Sequence, residues 1–283
     1  MVGTLVAVAV ALTLASTTGR GGRPSSRALE SGPSPSLGAK HPAHPETPTG
    51  VRGEVARLLS HGLPVYCGGP HGHALAFTFD DGPGVYTHYA LKKLRQAGER
   101  ATFFIVGRNI DPWPGYLRRE LRVGAVEDHT YTHAALIALS PSQISYQLHA
   151  TAKQIHAITG EHVQFWRPPY ELRNPTVDRI AQHLGLVDIL WDDDSQDSLG
   201  ASHAAIIKKV EAGLRPGAII EMHENRGQTI RALATLLPEL HRRHLRSVSI
   251  PQLLATDPPS LAQLRRGLAG CAHEGAALTS STE

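Results

Sequence analysis

The chain has 283 residues, a formal net charge of +3 and only 5% aromatic residues. So small a charge, with basic pairs such as Arg118-Arg119 and Arg242-Arg243 scattered along the chain, argues against a nucleic-acid footprint, and so few aromatics leave no stacking platform for single strands. No apolar run approaches the roughly 20 residues that a bilayer span requires, so no stable membrane span is expected.

Leu5 to Ala15 is apolar but too short to cross a membrane. It reads as the core of an export signal, with Thr13 and Ala15 as small residues near a cleavage point. The first basic residue is Arg20, so the usual positive charge ahead of such a segment is missing. Residues 1–16 are therefore expected to be a signal or membrane-targeting segment. Residues 17–60, rich in Gly, Ser, Pro and Thr, are expected to be a disordered linker. The folded domain is expected over 61–258, long enough for one sizeable core, with a tail over 259–283. Cys67 and Cys271 stand at the two ends of this unit. In an exported protein such a pair reads as a disulfide.

Within the domain, short apolar runs predict strands at 74–79, 101–106, 123–126, 163–166, 187–190, 218–221 and 247–249. Amphipathic stretches between them predict helices at 86–97, 114–121, 141–158, 174–184, 203–212 and 227–244. Ser140-Pro141 and Asn174-Pro175 are helix-start signals, with the proline in the first turn. Strands alternating with helices argue for an α/β fold around a parallel sheet, and seven strands come near the count of a (β/α) barrel.

Charged residues gather where these strands end: Asp80-Asp81, His129, Arg167, Asp194, Asp197 and His223. In barrels and open α/β sheets that edge is where sites are built. His129 and His133 lie four apart in HTYTH, so on a helical turn both would project from one face. With a carboxylate from elsewhere they would form a zinc-type ligand set with a position open to water. Among 17 histidines such spacing also arises by accident, so the pair alone decides little. Asp-Gly is also an ordinary turn signal, which accounts for one aspartate of TFDDGP and not for the other. Two adjacent carboxylates repel unless a cation separates them or one takes a proton. A divalent metal removes that conflict: one aspartate binds it and the other stays near the water as a base.

TFDDGP (78–83), HTYTH (129–133), RPPY (167–170), DSQD (194–197) and MH (222–223) resemble, in order and spacing, the motifs of the polysaccharide deacetylases. These are the NodB-homology enzymes of carbohydrate esterase family 4. The resemblance covers roughly residues 70–255. It implies an irregular seven-stranded (β/α) barrel with parallel strands. It also implies a hydrolase that removes acetyl groups from N-acetylated sugars of a polysaccharide or oligosaccharide such as peptidoglycan or chitin. Asp80 would be the general base and Asp81, His129 and His133 the metal ligands. Arg167 would orient Asp80, and the Tyr170 backbone N–H would stabilise the oxyanion. His223 would be the general acid, held by Asp197. Zn2+ is the expected metal, with Co2+, Ni2+ or Mn2+ also compatible with such ligands. A monomer that is secreted or associated with the cell envelope is expected.

Three positions depart from the family pattern. Glu171 stands where glycine is usual, Ser198 where tryptophan is usual, and Glu221 where leucine is usual. The last two fall where the family builds an apolar wall around the acetyl methyl group. They leave open an O-acetyl esterase acting on acetylxylan, and a member that binds carbohydrate without turnover.

Overall fold

The run ALAFTF at 74–79 is the kind of unbroken apolar, β-prone segment that a strand buried on both faces requires. In the computed structural model, which describes residues 49–271, it becomes the central strand of a parallel sheet. The elements in chain order are α1 (Thr49–His61), β1 (Ala74–Gly82), α2 (Thr87–Ala97), β2 (Ala101–Ile105), α3 (Tyr116–Leu121), β3 (Gly124–Asp128), α4 (Pro141–Thr159), β4 (Phe165–Trp166) and α5 (Pro175–His183). They continue with β5 (Val187–Asp188), β6 (Asp193–Asp194), α6 (His203–Gly213), β7 (Ile219–His223), α7 (Gly227–Arg242), β8 (Arg246–Ser247), α8 (Ile250–Thr256) and α9 (Leu261–Arg266). The sheet runs β5-β4-β3-β2-β1-β7-β6 and curls into a half-barrel, with β8 paired to the first residues of β1. All seven expected strand positions are occupied, and the two-residue β6 joins them at one end of the sheet.

Strand parity separates two environments. Leu75, Phe77 and Phe79 of β1, with Ile220 and Met222 of β7, pack into the apolar layer shared with α2, α6 and α7. The alternate positions begin apolar and become polar towards the C-terminal ends. Ala76, Phe104, Phe165 and Ile219 belong to a second core cluster, whereas Thr78 and Asp80, Arg167, and Glu221 and His223 continue the same faces. The apolar floor thus lies beneath a polar mouth on one side of each strand.

Two expected boundaries are corrected. The linker was expected to reach residue 60, but α1 occupies its last part. Val51, Val55 and Leu58 recur at helical spacing and are buried against Leu253 and Leu254 of α8. Gln182 also donates to the Leu59 carbonyl at 2.6 Å. The tail expected over 259–283 begins as structure: Ser260 and Gln263 form a capping box for α9 and Leu264 is buried. The expected disulfide joins Cys67 to Cys271 across 204 residues, closing the domain's two ends on each other. The signal-like segment at 1–16 and the linker up to residue 48 lie outside the described residues, as do 272–283.

Leu58 is only 1% exposed. Leu58→Ala is expected to cost about 2–5 kcal/mol in denaturant unfolding; a loss below about 0.5 kcal/mol, the level of a neutral surface change, would show that α1 is not part of the core.

Candidate metal centre and active site

By strand parity Asp80 faces the barrel interior and Asp81 should face away. The pairing with β2 prevents this. Phe79 and Asp80 pair with Phe103 and Phe104, but Ile105 pairs with Gly82, so Asp81 is bulged out of register. Its backbone is left-handed (φ 69°). The bulge brings its carboxylate back to the mouth, where Oδ1 stands 3.3 Å from His133 Nε2 and 3.9 Å from His129 Nε2.

The two histidines meet differently from the expected helical turn. Residues 129–133 form a loop after β3, with left-handed backbone at Thr130 (φ 65°) and His133 (φ 59°). Asp128 Oδ1 accepts the Thr130 N–H at 2.6 Å and fixes this reversal. The imidazole centroids end 4.9 Å apart. His129 Nδ1 lies 2.8 Å from the Arg167 carbonyl, an acceptor only, so Nδ1 carries the proton and Nε2 is left free. His133 Nδ1 contacts the Tyr170 hydroxyl at 3.1 Å, again leaving Nε2 free. Asn225 Nδ2 donates to Asp81 Oδ2 at 3.1 Å, and Asn109 Nδ2 to the Asp81 carbonyl at 3.0 Å.

Asp81, His129 and His133 each present one ligand atom, all within 4.8 Å of one another. Two imidazoles with their outer nitrogens engaged and one carboxylate form a donor set that fits a divalent cation. Burial works against ionised Asp81, but His129, His223, His133 and the Asn225 hydrogen bond outweigh it and hold the carboxyl below its ordinary range. Burial, followed by the His129 charge, lowers His133, which favours the neutral ligand form.

Beside this trio stand two further groups. Arg167 Nη1 donates to Asp80 Oδ1 at 2.8 Å, leaving Oδ2 free. On the adjoining strand β7, His223 Nδ1 lies 2.7 Å from Asp197 Oδ1, while the His223 backbone N–H and the Thr229 hydroxyl donate to Asp197 Oδ2. Burial opposes the imidazolium, but the Asp197 hydrogen bond and the charges of Asp80, Asp197 and Glu221 raise His223 to about 9. The arrangement offers a carboxylate that accepts a proton and an imidazolium that gives one.

Asp80, Asp81, His129, His133 and His223 line one cavity of about 430 Å³. Tyr170, in left-handed backbone (φ 60°), forms part of its rim. The three departures from the family pattern, Glu171, Ser198 and Glu221, also line it. Burial, chiefly, and the neighbouring Asp80 push the Glu221 carboxyl well above its ordinary range. Thr78, Asn109, Asn225 and Thr229 support the site without having been singled out in the sequence. They are uncharged and obey no spacing rule; Thr78 opens the TFDDGP motif and Asn225 and Thr229 follow MH closely, whereas nothing in the sequence points to Asn109.

Residues 68–189 match the family profile described as polysaccharide deacetylase. A peptidoglycan-N-acetylglucosamine deacetylase of Bacillus cereus is 30% identical over 66% of this chain and 71% of its own length. Its counterpart from Listeria monocytogenes is 34% identical over 63% of this chain, and the chain spans only 38% of that relative's length. Among solved structures, a family 4 carbohydrate esterase from Streptomyces lividans, in complex with acetate, matches with a TM-score of 0.61 and 34% identity. That match covers 64% of this chain and 95% of the other.

The folded value of His223, about 9, exceeds its ordinary 6.5. Its contribution to stability is therefore fully present below about pH 6.5 and is lost as pH rises through about 9. Asp197→Asn is expected to lower the His223 midpoint by about one unit or more, read by NMR titration; an unchanged midpoint would show that Asp197 does not hold the charge.

Proposed function

The chain belongs to the polysaccharide deacetylase family, and from that premise we propose that it is a metal-dependent hydrolase removing acetyl groups from the N-acetylated sugars of a cell-envelope glycan such as peptidoglycan. The observation that carries this reading is the placing of two proton-transfer groups, Asp80 on Arg167 and His223 on Asp197, side by side in one cavity with a three-ligand cluster.

Asp81, His129 and His133 hold the divalent cation, with Zn2+ the best match to two imidazoles and one carboxylate. When bound, such an ion polarises the acyl oxygen and lowers the pKa of a nearby water. Asp80 is the base that takes a proton from the attacking water, and Arg167 holds it oriented. The Tyr170 backbone N–H shares the charge that develops on the acetyl oxygen. As the C–N bond breaks, His223 Nε2–H protonates the sugar nitrogen, leaving a free amine and acetate. An amide nitrogen leaves poorly without that proton, so base and acid are both needed. The names of the relatives from Bacillus cereus and Listeria monocytogenes favour peptidoglycan as substrate. The disulfide fits an oxidising location outside the cytoplasm.

Acetate release should be measured on peptidoglycan, N-acetylated chitin oligomers and acetylxylan, each with and without chelator. Release from an N-acetylated glycan that chelator abolishes is expected, and release from acetylxylan alone would move the activity to O-acetyl groups. Asp80→Asn is expected to keep the metal while losing about 10²–10⁴-fold in turnover, and His129→Ala to lose both metal and turnover. Full activity in Asp80→Asn would remove Asp80 as the base.

A further inference from the structure

Glu221 is 7% exposed, lines the cavity and makes no side-chain hydrogen bond among the described residues. A carboxyl buried without a hydrogen bond is unfavourable unless something else compensates it. Its Oε1 stands 4.0 Å from His223 Nε2, on the strand face that His223 shares.

We propose that Asp80, Glu221 and His223 form a second divalent-cation site beside the first, and that its occupation silences the reaction. The ligand atoms of these three residues all lie within 4.8 Å of one another, the same span met by Asp81, His129 and His133. Each has one free donor directed to the others. Asp80 Oδ1 is taken by Arg167, leaving Oδ2. His223 Nδ1 is taken by Asp197, leaving Nε2 on an imidazole already braced by a carboxylate, the usual support of a ligating histidine. Glu221 supplies the third donor. One imidazole and two carboxylates suit zinc or another first-row divalent ion.

The two clusters adjoin, since Asp80 Oδ2 is 3.8 Å from His129 Nε2. The carboxylates of Asp80, Asp81 and Glu221 together offset the repulsion between two neighbouring cations, as in paired-metal sites. The second ion must share Asp80 with Arg167 and displace the Nε2 proton that the reaction assigns to His223, so it binds after the first and only when metal is in excess. Once there, it occupies the lone pair of the base and the nitrogen that gives the proton. The silencing rests on the deacetylase reading above; the binding does not.

The experiment is equilibrium dialysis of the full chain against Zn2+ with metal analysis, together with acetate release at one equivalent and in excess. Wild type should bind one zinc ion more than Glu221→Leu, and the near-isosteric Glu221→Gln should match the leucine variant, which guards against misfolding. Equal stoichiometry in wild type and both variants would overturn the site. Excess zinc should cut wild-type acetate release about tenfold, the effect of free metal at about ten times the dissociation constant, and leave the rate of Glu221→Gln relative to its own one-equivalent rate nearly unchanged. Equal inhibition of both proteins would overturn the silencing. If no glycan yields acetate, the deacetylase reading falls while the stoichiometry still decides the second site.

Discussion

Arg167 has no access to water, yet its guanidinium touches several walls of the half-barrel. Nη1 donates to Asp80 Oδ1 and Thr78 Oγ1, both at 2.8 Å, while Nε and Nη2 reach the carbonyls of Ile189 and Leu190 at 3.1 and 3.3 Å. Its plane lies over the Phe104 ring at 4.1 Å. A buried cation is tolerated only when its charge is paired and its N–H groups are satisfied, and here the partner is the carboxylate proposed as the base. The same residue's carbonyl accepts from His129 Nδ1 and so sets which nitrogen of that ligand is free. One side chain and its own backbone thereby connect the orientation of Asp80 to the readiness of the metal cluster. Removing one partner of such a buried pair typically costs about 3–5 kcal/mol, so this linkage is structural as well as chemical.

The bulge at Asp81 is the second constraint, and it answers why two like charges stand side by side. A regular strand would send one carboxylate inward and the other into the apolar layer containing Phe79 and Met222. The skipped register turns both to the mouth on different partners: Asp80 on Arg167, Asp81 on the histidines and Asn225. Paired directly to β1, β7 repeats the inward alternation with Ile219, Glu221 and His223. The proton-accepting and proton-giving sides of the cavity are thus carried by the neighbouring strands β1 and β7, and their spacing follows from sheet geometry rather than from loops.

Much of this was legible because buried parallel strands declare themselves as apolar runs and their ends as sudden charge. What escaped had physical reasons. β6 is Asp193-Asp194, two residues that no strand propensity favours. It is steadied from outside the strand, where Arg215 pairs with Asp192 and Asp193 and the Ile219 N–H reaches Asp192. α1 was hidden inside a polar, glycine-rich region because only Val51, Val55 and Leu58 mark its buried face. The spacing of His129 and His133 suggested a helix, whereas the contact depends on left-handed residues that spacing does not reveal. Whether Glu221 faced the cavity or turned from it could not be read before the register of β7 was known.

Asp80 and Asp81 divide the labour of the site, and the most direct test is anomalous diffraction from crystals of the zinc-loaded protein at one equivalent of metal. The expected result is a single peak about 2.0–2.2 Å from His129 Nε2, His133 Nε2 and an Asp81 carboxylate oxygen, with Asp80 still on Arg167. A peak bonded to Asp80 in place of Asp81, or one that leaves either histidine unbound, would contradict it.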